Sequence, residues 1–241
     1  MIRVPRKAGL PVNHSLIIGT IPKKEEIDME QWQQWFQEKQ VERTINALKK
    51  NNFEAVFVPD SKAACEEVLK QIPDGATVGV GGSVTLIQAG LPEALASRNI
   101  QLIWPIRQGK TPGEIFDLIR KSFSADVFLS GTNAVTEDGK LFNVDATGNR
   151  VGAMFIGPRK TIIVTGVNKI VKDLDAAEKR VKEWVAPQNA KRLGRKTPCV
   201  ETGVCADCKS PERICNIYVT LAKKPVRTDV LVILVGEQLG I

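Results

Sequence analysis

Between residues 54 and 130 the chain repeats one pattern: a short apolar run, a turn, then a stretch with apolar residues at helical spacing. The runs 54–59, 77–80, 100–104 and 126–130 are short and almost wholly apolar, so they read as strands covered on both faces. The stretches 61–72, 83–89, 92–97 and 113–122 read as helices, the first capped by Asp60 or Ser61. Strands that alternate with helices pair in parallel, because a parallel neighbour is reached only through a long crossover. The spacing therefore predicts an α/β chain: an open, mostly parallel sheet with helices on both faces. Residues 230–235, apolar at every position, are predicted to run through the sheet interior.

The flanking segments are less regular. Residues 1–30 read as an N-terminal arm and 31–241 as the domain, which opens with a helix over 28–51. Beyond Ser130 a strand at 139–144 is expected to pair locally through Glu137-Asp138-Gly139. Strands are also expected at 153–156 and 160–165, and an amphipathic helix over 174–185, with the cysteine segment beyond Pro187.

At 241 residues, 43% hydrophobic and 25% charged, the chain can bury a full core. No apolar run approaches the roughly 18 residues that cross a bilayer, and the basic N-terminus lacks a signal peptide's apolar stretch. A cytoplasmic protein with no membrane association is expected. The formal charge of +7 suits an anionic ligand. With a single tyrosine and no aromatic stacking pattern, nucleic acid is an unlikely partner.

Four of the five cysteines fall within seventeen residues: Cys199, Cys205, Cys208 and Cys215, spaced C-x5-C-x2-C-x6-C, in a segment at 197–216. A reducing compartment argues against disulfides, and a C-x2-C pair lets two thiolates reach one metal or cluster. Two more thiolates complete four-coordination. Zinc and an iron–sulfur cluster both accept that donor set. The loop-like surroundings, with Pro198, Gly203 and Pro211 and no second C-x2-C knuckle, favour a four-iron, four-sulfur cluster over zinc. His14 is the only histidine, which excludes a multi-histidine metal site and disfavours a histidine triad.

Two loops carry further candidates. Gly81, Gly82 and Ser83 join a strand to a helix, where backbone amides can approach an anion or where a tight turn simply needs glycine. Ser130, Gly131, Thr132 and Asn133 follow a strand, with Asn143, Asp145, Asn149 and Arg150 after the next hairpin. So many polar groups beside apolar strands suggest a polar ligand site or a network bracing turns. Arg150 suits a bidentate clamp on a carboxylate or phosphate. Glu137 and Asp145 are candidate bases or nucleophiles. Lys169 is a further possible anion contact.

The stretch Ala125-Asp126-Val127-Phe128-Leu129-Ser130-Gly131-Thr132-Asn133 onward through Asn143 to Arg150 resembles the core signature of the lactate-utilisation (LUD) domain family. So do Gly166-Val167-Asn168-Lys169-Ile170-Val171-Lys172-Asp173 and Ala186-Pro187-Gln188-Asn189-Ala190-Lys191-Arg192. The likeness covers nearly the whole domain, with the cysteine segment like that of short family members. It implies the fold shared by sugar-phosphate isomerases, glucosamine-phosphate deaminases and CoA-transferases, and a homo-oligomer such as a homodimer. It further implies a role in oxidising L-lactate to pyruvate, as a possible oxidoreductase component beside an iron–sulfur electron-transfer protein. Within that superfamily Glu137 stands where CoA-transferases carry a glutamate, although only Glu-x-Gly matches. The expected function is thus binding of a small anionic metabolite next to an iron–sulfur cluster. The alternatives are a non-redox binding or regulatory module with structural zinc, and an isomerase or acyl-transfer enzyme using Glu137 or Asp145.

Overall fold

Strand Asp229–Val235 (β10) is apolar from its second position onward because it lies inside a sheet with packed layers on both sides. Its Leu231, Ile233 and Val235 belong to one buried cluster, while the alternating Val230 and Val232 belong to another. The period of two sends successive side chains to opposite faces, so a strand covered twice must be apolar throughout. The computed structural model describes residues 29–105 and 111–241, without the side chains of Met29 and Glu30. The expected arm at 1–30, with His14, lies almost wholly outside the described residues. Residues 36–241 form one compact unit, which holds both sheets, the cavity and the cysteine segment discussed below.

Helix α1 (Met29–Lys50) leads into β1 (Glu54–Val58), α2 (Ser61–Lys70), β2 (Thr77–Val80), α3 (Val84–Gln88), α4 (Leu91–Ala96) and β3 (Gln101–Ile103). Then come α5 (Pro112–Ser122), β4 (Val127–Ser130), β5 (Ala134–Thr136) and β6 (Leu141–Asp145). Helix α6 (Asn149–Phe155), β7 (Lys160–Gly166) and β8 (Ile170–Val171) follow. Strands β1, β10, β7, β4, β2 and β3 form a six-stranded sheet in that order, with each neighbouring pair parallel. This is the expected open parallel α/β sheet. A second sheet, β8-β5-β6-β9, uses strand β9 (Ile217–Leu221), which alternation alone did not reveal. Its residues Val135, Leu141 and Leu221 close the cluster on one face of the large sheet.

Two local expectations need correction. Residues 153–156, predicted as a strand, are instead the end of α6 and its C-cap. The Asp145 carboxylate accepts from the amides of Arg150 (3.1 Å) and Val151 (2.9 Å), satisfying first-turn donors that would otherwise be orphaned. That capping starts a helix which an apolar run of four could not announce. The helix predicted to stop at Val185 also continues. Helix α7 (Leu174–Arg180) passes through a widened π turn, Val181–Val185, into α8 (Ala186–Arg192). The Ala186 amide bonds the Val181 carbonyl, five residues back, and this wider register just before Pro187 accommodates a residue with no N–H. A short helix, α9 (Pro198–Thr202), begins the cysteine segment.

Candidate functional site

The C-terminal ends of β2, β4, β7 and β10 deliver four loops to one edge of the parallel sheet, the usual place for ligands in open α/β folds. A cavity of about 390 Å³ opens there. Gly82 and Ser83 reach it from the β2 loop; Gly131, Thr132 and Asn133 from the β4 loop; Asp145, Asn149 and Arg150 from the end of β6 and the start of α6. Of the residues singled out in sequence, Gly81, Ser130 and Asn143 stand behind this wall. The backbones crowd here: a Cβ on Gly131 would come within 2.7 Å of Ser83 Oγ, so glycine lets the two loops meet.

Arg150 is the frame of the cavity. Its Nε and Nη2 donate to Asp145 Oδ1 at 3.0 and 2.7 Å. The same guanidinium donates to Asn143 Oδ1 at 2.8 Å, Asn133 Oδ1 at 2.9 Å, and the carbonyls of Gly131 and Val144. These bonds use every N–H of the fork, so Arg150 contributes charge and rigidity rather than a free clamp. Asp145, only 7% exposed, has both oxygens committed to Arg150 and the α6 amides, which leaves no free lone pair aimed at a ligand for base or nucleophile chemistry. Glu137 is not brought to the cavity at all. It pairs with Arg43 at 2.9 Å and accepts from Gln40 at 3.0 Å, and these partners, Gln40 foremost, hold its carboxyl below the usual range.

The most unusual group in the cavity wall is Lys169, in the 3₁₀ turn after β7. It is 4% exposed, and its Nζ donates to Thr85 Oγ1 at 2.9 Å. No carboxylate pairs with it among the described residues. Burial, with the nearby Arg180 and Arg150, pulls its pKa down from 10.5 to about 7. Arg180, itself partly buried, donates to the Asn133 carbonyl at 2.9 Å. Arg192 and Arg195 line the outer part. Asp145 is the only acidic side chain among the lining residues, and it is already paired, so the side chains of the wall carry a surplus of positive charge. In sequence Lys169 was visible only as one lysine after an apolar strand; nothing local marked it as buried, and Thr85 and Arg180 carried no signal at all.

The four-cysteine segment sits beside this cavity. Cys199, Cys205, Cys208 and Cys215 together line a small cleft of about 20 Å³. Arg213 closes the loop by donating to the carbonyls of Cys208 (2.7 Å) and Cys215 (3.0 Å) and pairing with Asp207. Burial, followed by the proximity of Cys205, pushes the Cys215 thiol up to about 11. All the cysteines are free. Among the described residues no three His, Cys, Asp or Glu side chains converge on the position of a single metal ion. The cleft and the large cavity share a wall: Ile214 lines both, and α8 turns Ala186 and Ala190 to the cysteines and Asn189 and Arg192 to the cavity. No helix among the described residues is long and apolar enough to cross a membrane.

A family model described as the LUD domain matches residues 41–235. Among solved structures, a DUF162 family protein from Deinococcus radiodurans is similar at a TM-score of 0.51 and 13% identity, over 83% of this chain and 98% of that one. That likeness concerns the fold. eIF2B delta from Chaetomium thermophilum aligns over 60% of this chain and 55% of its own, at 14% identity and a TM-score of 0.29, too low to bear on the argument. No curated protein matches in sequence.

Proposed function

The chain belongs to the LUD domain family, which is associated with lactate utilisation, and on that footing we propose that it binds a small organic-acid anion beside an iron–sulfur cluster. The observation that carries the reading is the shared wall: a cationic cavity and a four-thiol cleft both border α8, and Ile214 lines both. A ligand and a cluster so placed are a side chain apart, close enough for one to sense the other.

The charge surplus of the wall favours a carboxylate, and the volume suits a metabolite of a few carbons rather than a nucleotide chain or polymer. Asn149, Thr132 and Ser83 offer polar contacts that fix orientation, while Arg192 and Arg195 stand at the outer part to draw the anion in. Arg150, held rigid by Asp145, keeps its positive charge in place without reorganising.

The donor chemistry of the cleft fits a cluster: four thiols line one lobe, and the one carboxylate beside them, Asp207, is paired with Arg213. The loop's single Cys-x2-Cys pair, set among Pro198, Gly203 and Pro211 rather than in two paired knuckles, supports the cluster over zinc. When bound, such a group supplies one-electron transfer. Cys199, Cys205, Cys208 and Cys215 would hold it, and Arg213 fixes the loop that presents three of them. Purification without oxygen, followed by iron and acid-labile sulfide analysis, tests this half of the reading. Iron and sulfide in equal amounts are expected; zinc alone, or no metal, contradicts it.

A further inference from the structure

The cavity wall holds a buried amine with no acidic side chain paired to it. Lys169 lines the wall and is 4% exposed, with its Nζ 2.9 Å from Thr85 Oγ1 and no carboxylate partner among the described residues. A lysine placed only to attract an anion does so best as a solvated or acid-steadied ammonium. This one is stripped of water and set near two guanidinium groups, Arg150 and Arg180, and both circumstances favour the free base. Desolvation and a cationic neighbour are the two means by which a lysine becomes a nucleophile towards a carbonyl carbon. Gly240 packs close to the amine: a Cβ there would stand 2.7 Å from Nζ, so glycine leaves the nitrogen its room.

We propose that the side-chain amine of Lys169 condenses with the carbonyl carbon of a small 2-oxo acid held in this cavity, an inference that rests on the organic-acid reading above. The nitrogen lone pair attacks the carbonyl carbon, a C–N bond forms, and the C=O π bond opens to give a carbinolamine. The carbonyl oxygen then leaves as water, taking the two amine hydrogens, and an imine remains. No oxidant or reductant is consumed. Thr85 Oγ1 is placed to hold the amine in position and to pass a proton to or from nitrogen. The cations around it, Arg150 and Arg180, stay to balance the acid's carboxylate.

The test uses the full chain, pyruvate as the probe, and cyanoborohydride, which reduces an imine to a stable secondary amine. Peptide mapping by mass spectrometry is expected to find an N-carboxyethyl group on Lys169. At neutral pH it should form roughly a hundredfold faster than on exposed lysines, whose amines are almost wholly protonated. Lactate, which carries a hydroxyl in place of the carbonyl, should slow it by occupying the same cavity. Saturation-transfer NMR on the same sample reports whether pyruvate binds at all. Pyruvate bound with Lys169 unmodified overturns the imine and leaves the organic-acid reading standing; no binding overturns both.

Discussion

Replacing Lys169 by methionine removes a buried basic group while keeping most of its apolar volume, and its effect on stability depends on pH in a calculable way. In the folded chain the amine loses its proton near pH 7, whereas in the unfolded chain it does so near the ordinary value of 10.5. Between those values the unfolded state binds one more proton than the folded state, so stability rises with pH, by about 1.4 kcal/mol per unit. Below about pH 7 both states are protonated and the folded protein carries the full penalty, on the order of 5 kcal/mol. The groups facing the amine are Thr85, Arg150 with its partner Asp145, and Arg180, of which the arginines keep their charge throughout this window. Lys169→Met has no such penalty. Urea unfolding of both proteins from about pH 6 to about pH 9.5 should therefore show the variant more stable at the acid end. Loss of the Thr85 bond offsets that gain by about 1 kcal/mol at every pH. The gap should narrow as the pH rises, and it should close by about 3 kcal/mol between pH 7 and 9.5. Cysteine and tyrosine titration cancels in the difference. Parallel curves for the two proteins would refute the claim that the amine is buried without an acid.

Arg150→Lys keeps the charge but loses the fork that joins Asp145, Asn143 and Asn133, so thermal unfolding should report a loss of about 3 kcal/mol. Gly139→Ala should cost more than about 1 kcal/mol by the same assay, because Gly139 has φ +81° and a Cβ would meet the backbone of Ala47. Cys208→Ser, made and purified without oxygen, is expected to hold well under half the iron of the parent chain while keeping its far-ultraviolet circular dichroism; full iron content would remove Cys208 from the ligand set.

The parallel sheet was legible in sequence because burial on both faces leaves an uninterrupted mark, as in residues 230–235. Helix α6 was not, because its start depends on Asp145 folding back over two amides, a contact that four apolar residues cannot encode. The continuation through Pro187 depends on a π turn, which has no compositional signature. The site divides in the same manner. Its glycines, hydroxyls and amides cluster in two loops because each loop ends a sheet strand, so their meeting at one edge follows from the topology. Which polar groups are free and which are spent is a matter of three-dimensional bonding. Arg150 and Asp145 looked like reagents and are instead each other's partners, while Lys169, one more possible anion contact in sequence, is buried. Glu137, tempting as an acid beside a glycine, serves the contact with Gln40 and Arg43.

The most direct test of an organic-acid cavity set against a cluster is the electron paramagnetic resonance spectrum of the anaerobically purified, reduced protein, recorded with and without pyruvate. A cluster signal that shifts when pyruvate is added, and does not shift with a neutral amide of the same size, is expected from a ligand one side chain away through Ile214 and α8. A cluster signal indifferent to pyruvate at saturating concentration, or no signal from protein that binds it, would contradict the coupling of the two sites.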